Sequence, residues 1–303
     1  MNAPAPLPRW LGIVLMMAIT AIFASNHVAA RFAFDHGTNV VTAVSFRSGG
    51  TALIVFCLFR MLGVSFKLAP ELRGKALLIG LALSVQSFCL YSAVARIPVA
   101  LALLAFNTCP LMLTLISWVA GVEKPSSRAL WLMPVALFGL ALALDVSGSA
   151  SGRNLDIAGR WVEIGAGVGF ALAAALSFAI VLFLSNRWLK EVDGRVRSVL
   201  TMVVVAVVTI AAGAATDGFA LPRDGAGWLG LILLTLLYGT AITSLFMVLP
   251  RLGSVANSAL LNFEPIAALV LGYLILGQAV APVQVLGAFI VVGAIITLGL
   301  SKR

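Results

Sequence analysis

The sequence predicts an all-α polytopic membrane protein, with ten transmembrane helices arranged as two inverted five-helix repeats. Three observations carry that expectation. The chain is 61% hydrophobic and 10% charged, with a mean hydropathy of +1.10, too little charge to coat a soluble domain of 303 residues. Apolar stretches of about 20 residues, the length that crosses a hydrocarbon core of ~30 Å, recur from end to end. Two segments 155 residues apart share their polar landmarks, and the charges of the loops around them swap sides.

The spans are expected at 11–30, 40–62, 74–95, 98–120, 129–146, 163–185, 197–216, 226–248, 255–276 and 282–300. The first does not read as a cleaved signal peptide. It carries Asn26 and His27 near its end, has no A-x-A site, and nine more spans follow. The excess of 20 Lys and Arg over 11 Asp and Glu collects in alternate loops, which is the positive-inside pattern and not a nucleic-acid surface. With the N-terminus inside, the inner segments hold fourteen basic residues and the outer loops five, leaving Arg47 within span two. Both termini are therefore expected in the cytoplasm, in a bacterial inner membrane. Cys57, Cys89 and Cys109 form no C-x-x-C pair and read as small buried hydrophobes.

The repeat is legible in RIPVALALLAFNTCP, residues 96–110, and RLGSVANSALLNFEP, residues 251–265. Arg96 aligns with Arg251, Asn107 with Asn262 and Pro110 with Pro265. In the first half the loops after spans one and two hold one and four basic residues; in the second half they hold four and one. A duplicated unit of five spans must insert upside down, so its charges should swap in this way. The halves are set at 1–146 and 163–303, joined by an external loop at 147–162. Inverted repeats around a midplane site are the pattern of alternating-access transporters. The glycine run Gly165-Ala166-Gly167-Val168-Gly169 lacks the spacing of a nucleotide loop; Gly165, Gly169 and Ala173 read instead as a smooth stripe for helix contact.

Ten spans, a duplicated five-helix unit, and N-x-x-P helices running to Gly277-Gln278 and Gly121-Val122-Glu123 resemble the EamA-type drug/metabolite transporter superfamily. The stretch LNFEPIAALVLGYLILG, residues 261–277, carries the resemblance best, although the family often has Glu where this chain has Gln278. Within that superfamily the chain is similar to bacterial exporters of the YddG type. The resemblance implies export of aromatic and other neutral amino acids from a central cavity between the repeats.

Polar groups inside a bilayer are costly, so each needs a reason. Thr20, Phe23 and His27 share one face of span one, and His27 is a candidate proton site or a neutral packing group. Arg47 reads first as a cation snorkelling to the outer interface or pairing helices, and alternatively as an anchor for a carboxylate. Gln86, Ser87 and Tyr91 in span three, and Tyr238 and Ser244 in span eight, are candidates for a cavity lining, the tyrosines because a ring with a polar tip suits a wet apolar pocket. Asn107 and Trp118 in span four, and Asn257, Ser258 and Asn262 in span nine, complete it. Pro110 and Pro265 are candidate hinges, each removing a backbone bond near mid-span, with Asn107 and Asn262 placed to serve the freed carbonyls. Glu264 lies at mid-span in one repeat only, opposite Cys109, so the symmetric fold does not require it; proton coupling, shared with His27, and a protonated cap on the kink are its two readings.

Rival classes find less support. The motifs of intramembrane proteases are absent, and no enzyme is expected. A channel would want a ring of charges or a run of filter carbonyls. An exporter of another metabolite, a nucleoside, sugar or drug, is the nearest alternative. No pattern asks for a cofactor or metal. The expected partners are a small-molecule substrate, membrane lipid and protons, and a monomer suffices.

Overall fold

The computed structural model describes residues 9–63, 68–122, 124, 127–144, 157–189, 192–216, 218–252, 263–278 and 280–300. Eleven α-helices are described and, among these residues, no strand: α1 (Arg9–Asp35), α2 (Val40–Met61), α3 (Pro70–Arg96), α4 (Val99–Phe106), α5 (Cys109–Val119), α6 (Ser127–Ala143), α7 (Ile157–Trp188), α8 (Gly194–Ala215), α9 (Gly225–Leu252), α10 (Glu264–Leu276) and α11 (Pro282–Leu300). Local chemistry sets the ends. Asn39 opens α2 by accepting the Thr42 amide on its side chain at 2.9 Å. Pro70 starts α3, where its missing N–H has no helical partner to lose, and Glu71 sits in the positive first turn.

Seven segments are long and apolar enough to cross a membrane, with α4 and α5 counted together as Val99–Val119; Leu130–Ala143, Glu264–Leu276 and Pro282–Ala294 are shorter apolar helices. The outward surface confirms the solvent. Leu53, Met61, Val119, Trp131, Phe138, Val207 and Leu274 are all more than half exposed, an apolar belt that only lipid tolerates. Cys57 lies on this belt, while Cys109 is buried, so the three cysteines are not uniformly interior. The external loop expected at 147–162 is partly helix, because α7 begins at Ile157.

Helices pair across the two halves, antiparallel. Ala33 of α1 meets Gly230 of α9, and Phe23 meets Tyr238. Ile97, at the end of α3, meets Gly167 of α7, while the Ser177 hydroxyl donates to the Ala82 carbonyl at 2.7 Å. Phe59 of α2 packs with Val199 of α8, and Thr42 accepts the Ala220 amide at 3.0 Å. Gln284 of α11 donates to the Ala143 carbonyl of α6 at 3.0 Å, and Gly139 meets Ile290. The Val99 amide that opens α4 donates to Gln278, just past α10, at 3.2 Å.

Glycine makes the closest of these contacts. A Cβ on Gly287 would run into the Gly139 carbonyl and the Ala143 amide, so α6 and α11 approach backbone to backbone. The stripe expected from Gly165, Gly169 and Ala173 does not act this way. Gly169 has open space where its Cβ would be, and Ala173 is exposed. The packing glycine of α7 is Gly167, one register away, because its side of the helix faces Ile97. The broadest apolar core gathers Leu90–Ala105, Leu140–Leu144, Ile164–Ala174 and Val291–Val292. It lies toward the C-terminal ends of α1 and α3.

Candidate functional site

Four helices and the start of a fifth bring polar side chains to one point inside the apolar bundle. Tyr91 of α3 is the hub and is fully buried. Its hydroxyl accepts from the Asn26 amide of α1 at 3.1 Å and from Arg47 Nη1 of α2 at 3.5 Å. Ser87 stands one helical turn before Tyr91 on the same face; it accepts from Arg47 Nη2 at 2.9 Å and donates to Gln86 Oε1 at 3.3 Å. Tyr238 of α9 covers the other side of Arg47. The guanidinium carbon lies 4.3 Å from the Tyr238 ring centre and 4.8 Å from that of Tyr91. Phe23 holds Tyr238 edge-on at 5.9 Å. On the far side of the hub, the His27 ring sits 5.5 Å from Tyr91, and its Nε2 is 3.2 Å from Glu264 Oε1 at the head of α10.

The electrostatics of this cluster are unbalanced. Arg47 is only 3% exposed, and moving a cation out of water carries a penalty of several kcal/mol. Two tyrosine faces each return about 2 kcal/mol when desolvated, and Ser87 adds a charge-assisted bond. Yet Arg47 Nε has no partner, and no carboxylate lies within salt-bridge distance of it among the described residues. Sequence explains why. Of the 11 acids, Glu264 alone falls in the middle of an expected span, and it is turned to His27. His27 Nδ1 is likewise buried without a partner.

Several expectations change. Arg47 does not snorkel: it lies in the interior between two tyrosines. Glu264 does not merely cap its own helix, since its carboxyl reaches across to α1. Span four is broken, not kinked. α4 ends at Phe106, the Asn107 side chain donates to the Leu103 carbonyl at 3.0 Å, and Thr108 donates to the Ala105 carbonyl at 2.7 Å. Asn107 thus serves a carbonyl one turn before the one that Pro110 frees. Pro110 and Pro265 both sit in the first turn of the helix that follows, where proline is well tolerated. Trp118 stands 48% exposed near the end of α5, away from the cluster. Ser244 is half-buried and makes no contact with the cluster that the structure records. Asn257, Ser258 and Asn262 lie outside the described residues. Asn26 escapes the sequence reading, where it is only a polar mark against a signal peptide, and Arg47 as an interior carboxylate anchor stands there only as the alternative. The rule that intramembrane polar residues face the bundle interior would have found both.

A groove of about 630 Å³ lined by Leu68, Arg73, Ala76, Leu77, Leu200, Val203 and Val204 opens between α3 and α8. It shares no residue with the cluster, and its mostly apolar wall suits lipid.

Residues 165–300 match the EamA-like transporter family. The chain is 25% identical over 289 residues to the threonine/homoserine exporter RhtA of Escherichia coli strain K12, covering 95% of this chain and 91% of that protein; RhtA of the O6:H1 and O157:H7 strains matches equally. A solved crystal structure aligns with 98% of this chain and all of its own at a TM-score of 0.62 and 20% identity, a likeness of fold. The chain is a multi-pass membrane protein whose residues 165–300 match the EamA-like transporter family.

Proposed function

We propose that the protein exports neutral amino acids, aromatic ones among them, across the bacterial inner membrane by alternating access. The observation that carries the reading is the buried cluster of Arg47, Tyr91, Tyr238, His27 and Glu264, set where helices of both halves meet. Charged groups of both signs, lined by aromatic faces, match a small molecule that is zwitterionic at one end and apolar at the other. Similarity to an exporter of threonine and homoserine along 95% of the chain supports the same class.

The helix pairings support the inverted-repeat arrangement. Let α1, α2, α3, α5 and α6 exchange places with α7, α8, α9, α10 and α11. The pair α1 with α9 then becomes α7 with α3, α2 with α9 becomes α8 with α3, and α1 with α10 becomes α7 with α5; α2 with α8 and α6 with α11 map onto themselves. Every pair in that set is a real contact. The backbone repeats too: Thr108 and Phe263, 155 residues apart, precede their helices at φ −70°, ψ −7° and φ −76°, ψ −8°. The first half is therefore read as a second EamA-like unit. His27 and Glu264 tie α1 of one half to α10 of the other, which suits a proton site that also couples the halves.

The test is uptake by proteoliposomes or inside-out vesicles, screened over labelled threonine, phenylalanine, lysine and glutamate with and without a proton gradient. Uptake of threonine or phenylalanine above that of lysine and glutamate is expected. Preference for a charged amino acid, or transport of nucleosides or drugs alone, overturns the amino-acid reading. Conduction without saturation would mark a channel.

A further inference from the structure

We infer that Arg47 is the anchor for the carboxylate of the transported molecule; this rests on the amino-acid reading above. The guanidinium is 3% exposed and held between two aromatic faces, so it cannot turn away from the cluster. Those faces leave its edge as the direction for hydrogen bonds. Ser87 and the Tyr91 hydroxyl use one donor on each terminal nitrogen, and Nε stays unpartnered and buried. A planar fork with unspent donors in a site poor in water is what a carboxylate binds in two-point fashion. Among the described residues no acid fills it: the mid-span carboxylate, Glu264, is engaged by His27 on the other side of the hub. A rigid cation with unspent donors gains a two-point partner when a carboxylate arrives. The same geometry sorts ligands, because an amine without a carboxylate would leave Arg47 as it is and meet its positive charge.

Binding to the purified protein in lipid nanodiscs tests this, by calorimetry and by thermal shift. The probes are L-threonine and L-phenylalanine, the amino alcohols made by reducing each carboxylate, and 3-phenylpropionate. On the wild-type protein each amino alcohol should bind about 30-fold or more weakly than its amino acid, the scale expected when one partner of a buried charge pair is removed. On Arg47→Gln the amino acids should fall to the level of the amino alcohols, so that the preference disappears. Equal binding of amino acid and amino alcohol to the wild type overturns the proposal, and this arm needs no variant to fold. So does an Arg47→Gln protein that keeps the wild-type preference. If no amino acid binds but 3-phenylpropionate does, and only with Arg47 in place, the anchor stands and the amino-acid reading falls. If neither amino acids nor 3-phenylpropionate bind, both fall.

Discussion

Glu264 is the residue at which the proposed transport mechanism rests most directly on the structure. Its carboxyl meets His27 at 3.2 Å with a fifth of its side chain exposed, whereas His27 is almost wholly enclosed. The acid is thus the more exposed member of the pair. When both are charged the contact ties α1 to α10, and a proton on the carboxylate weakens that tie. The proposed proton coupling has its carrier at this pair. Glu264→Gln should remove the pH dependence of uptake and any stimulation by a proton gradient, while leaving exchange of labelled for unlabelled substrate measurable. If the pH profile survives in that variant, Glu264 is structural. Tyr91 offers a second residue-scale check. Removing its hydroxyl leaves the Asn26 amide and one Arg47 donor buried without an acceptor, a loss of about 1–3 kcal/mol. Tyr91→Phe should accordingly lower the unfolding temperature in detergent, and an unchanged melting curve would mean that other groups relax to serve those donors.

At the scale of elements, the breaks in the bundle were only partly legible. Pro110 marked the place where α4 gives way to α5, because no other residue type removes a backbone donor from a span. The form of the break was not readable, since it depends on Asn107 and Thr108 folding back onto Leu103 and Ala105, a choice between partners equally near in sequence. A proline in a first turn opens no gap by itself; it keeps the Phe106 carbonyl from being reclaimed by a continuous helix. We propose that α4 and α5 move as separate bodies about Asn107 and Thr108. Pro110→Ala restores the donor for Phe106, and Pro265→Ala does the same at the equivalent turn. Both should slow transport with substrate binding retained, and accessibility labelling from the two sides should shift in opposite senses. Wild-type rates with wild-type labelling in both would leave the breaks as static shape. The glycine stripe failed for a different reason: spacing reveals that a face is smooth, but not what faces it. Gly287→Ala should lower the melting temperature by forcing α6 off α11. Gly169→Ala, with open space around it, should be neutral or raise it, since alanine favours a helix by about 0.5–1 kcal/mol over glycine.

For the whole molecule, what composition and charge could reveal was the all-helical membrane class and the run of apolar segments, because lipid imposes its length and polarity on every segment alike. The convergence of Arg47, Tyr91 and Tyr238 could not be read so. Residues from α2, α3 and α9 meet only once the crossing of three helices is known, and nothing local records that. The same crossings bring the two halves of the chain together at one end. Val99 bonds Gln278, Arg223 bonds the His36 carbonyl at 3.0 Å, and Ile97 fills the space over Gly167. All three contacts lie at the end where α1 stops and α3 turns into α4, and each joins one half of the chain to the other. With both termini in the cytoplasm, as the loop charges propose and as labelling at positions 67 and 190 from inside and 153 from outside would check, that end faces outward. An exporter must open it to release its cargo. Cysteines at positions 99 and 278, in a background with Cys57, Cys89 and Cys109 replaced, should then be joined by a short bifunctional thiol reagent. Linking them should stop transport, and reductive cleavage of the linker should restore it, while substrate binding from the cytoplasmic side continues throughout. Undiminished transport by the linked protein would show that this end never parts, and the alternating-access reading would fail with it.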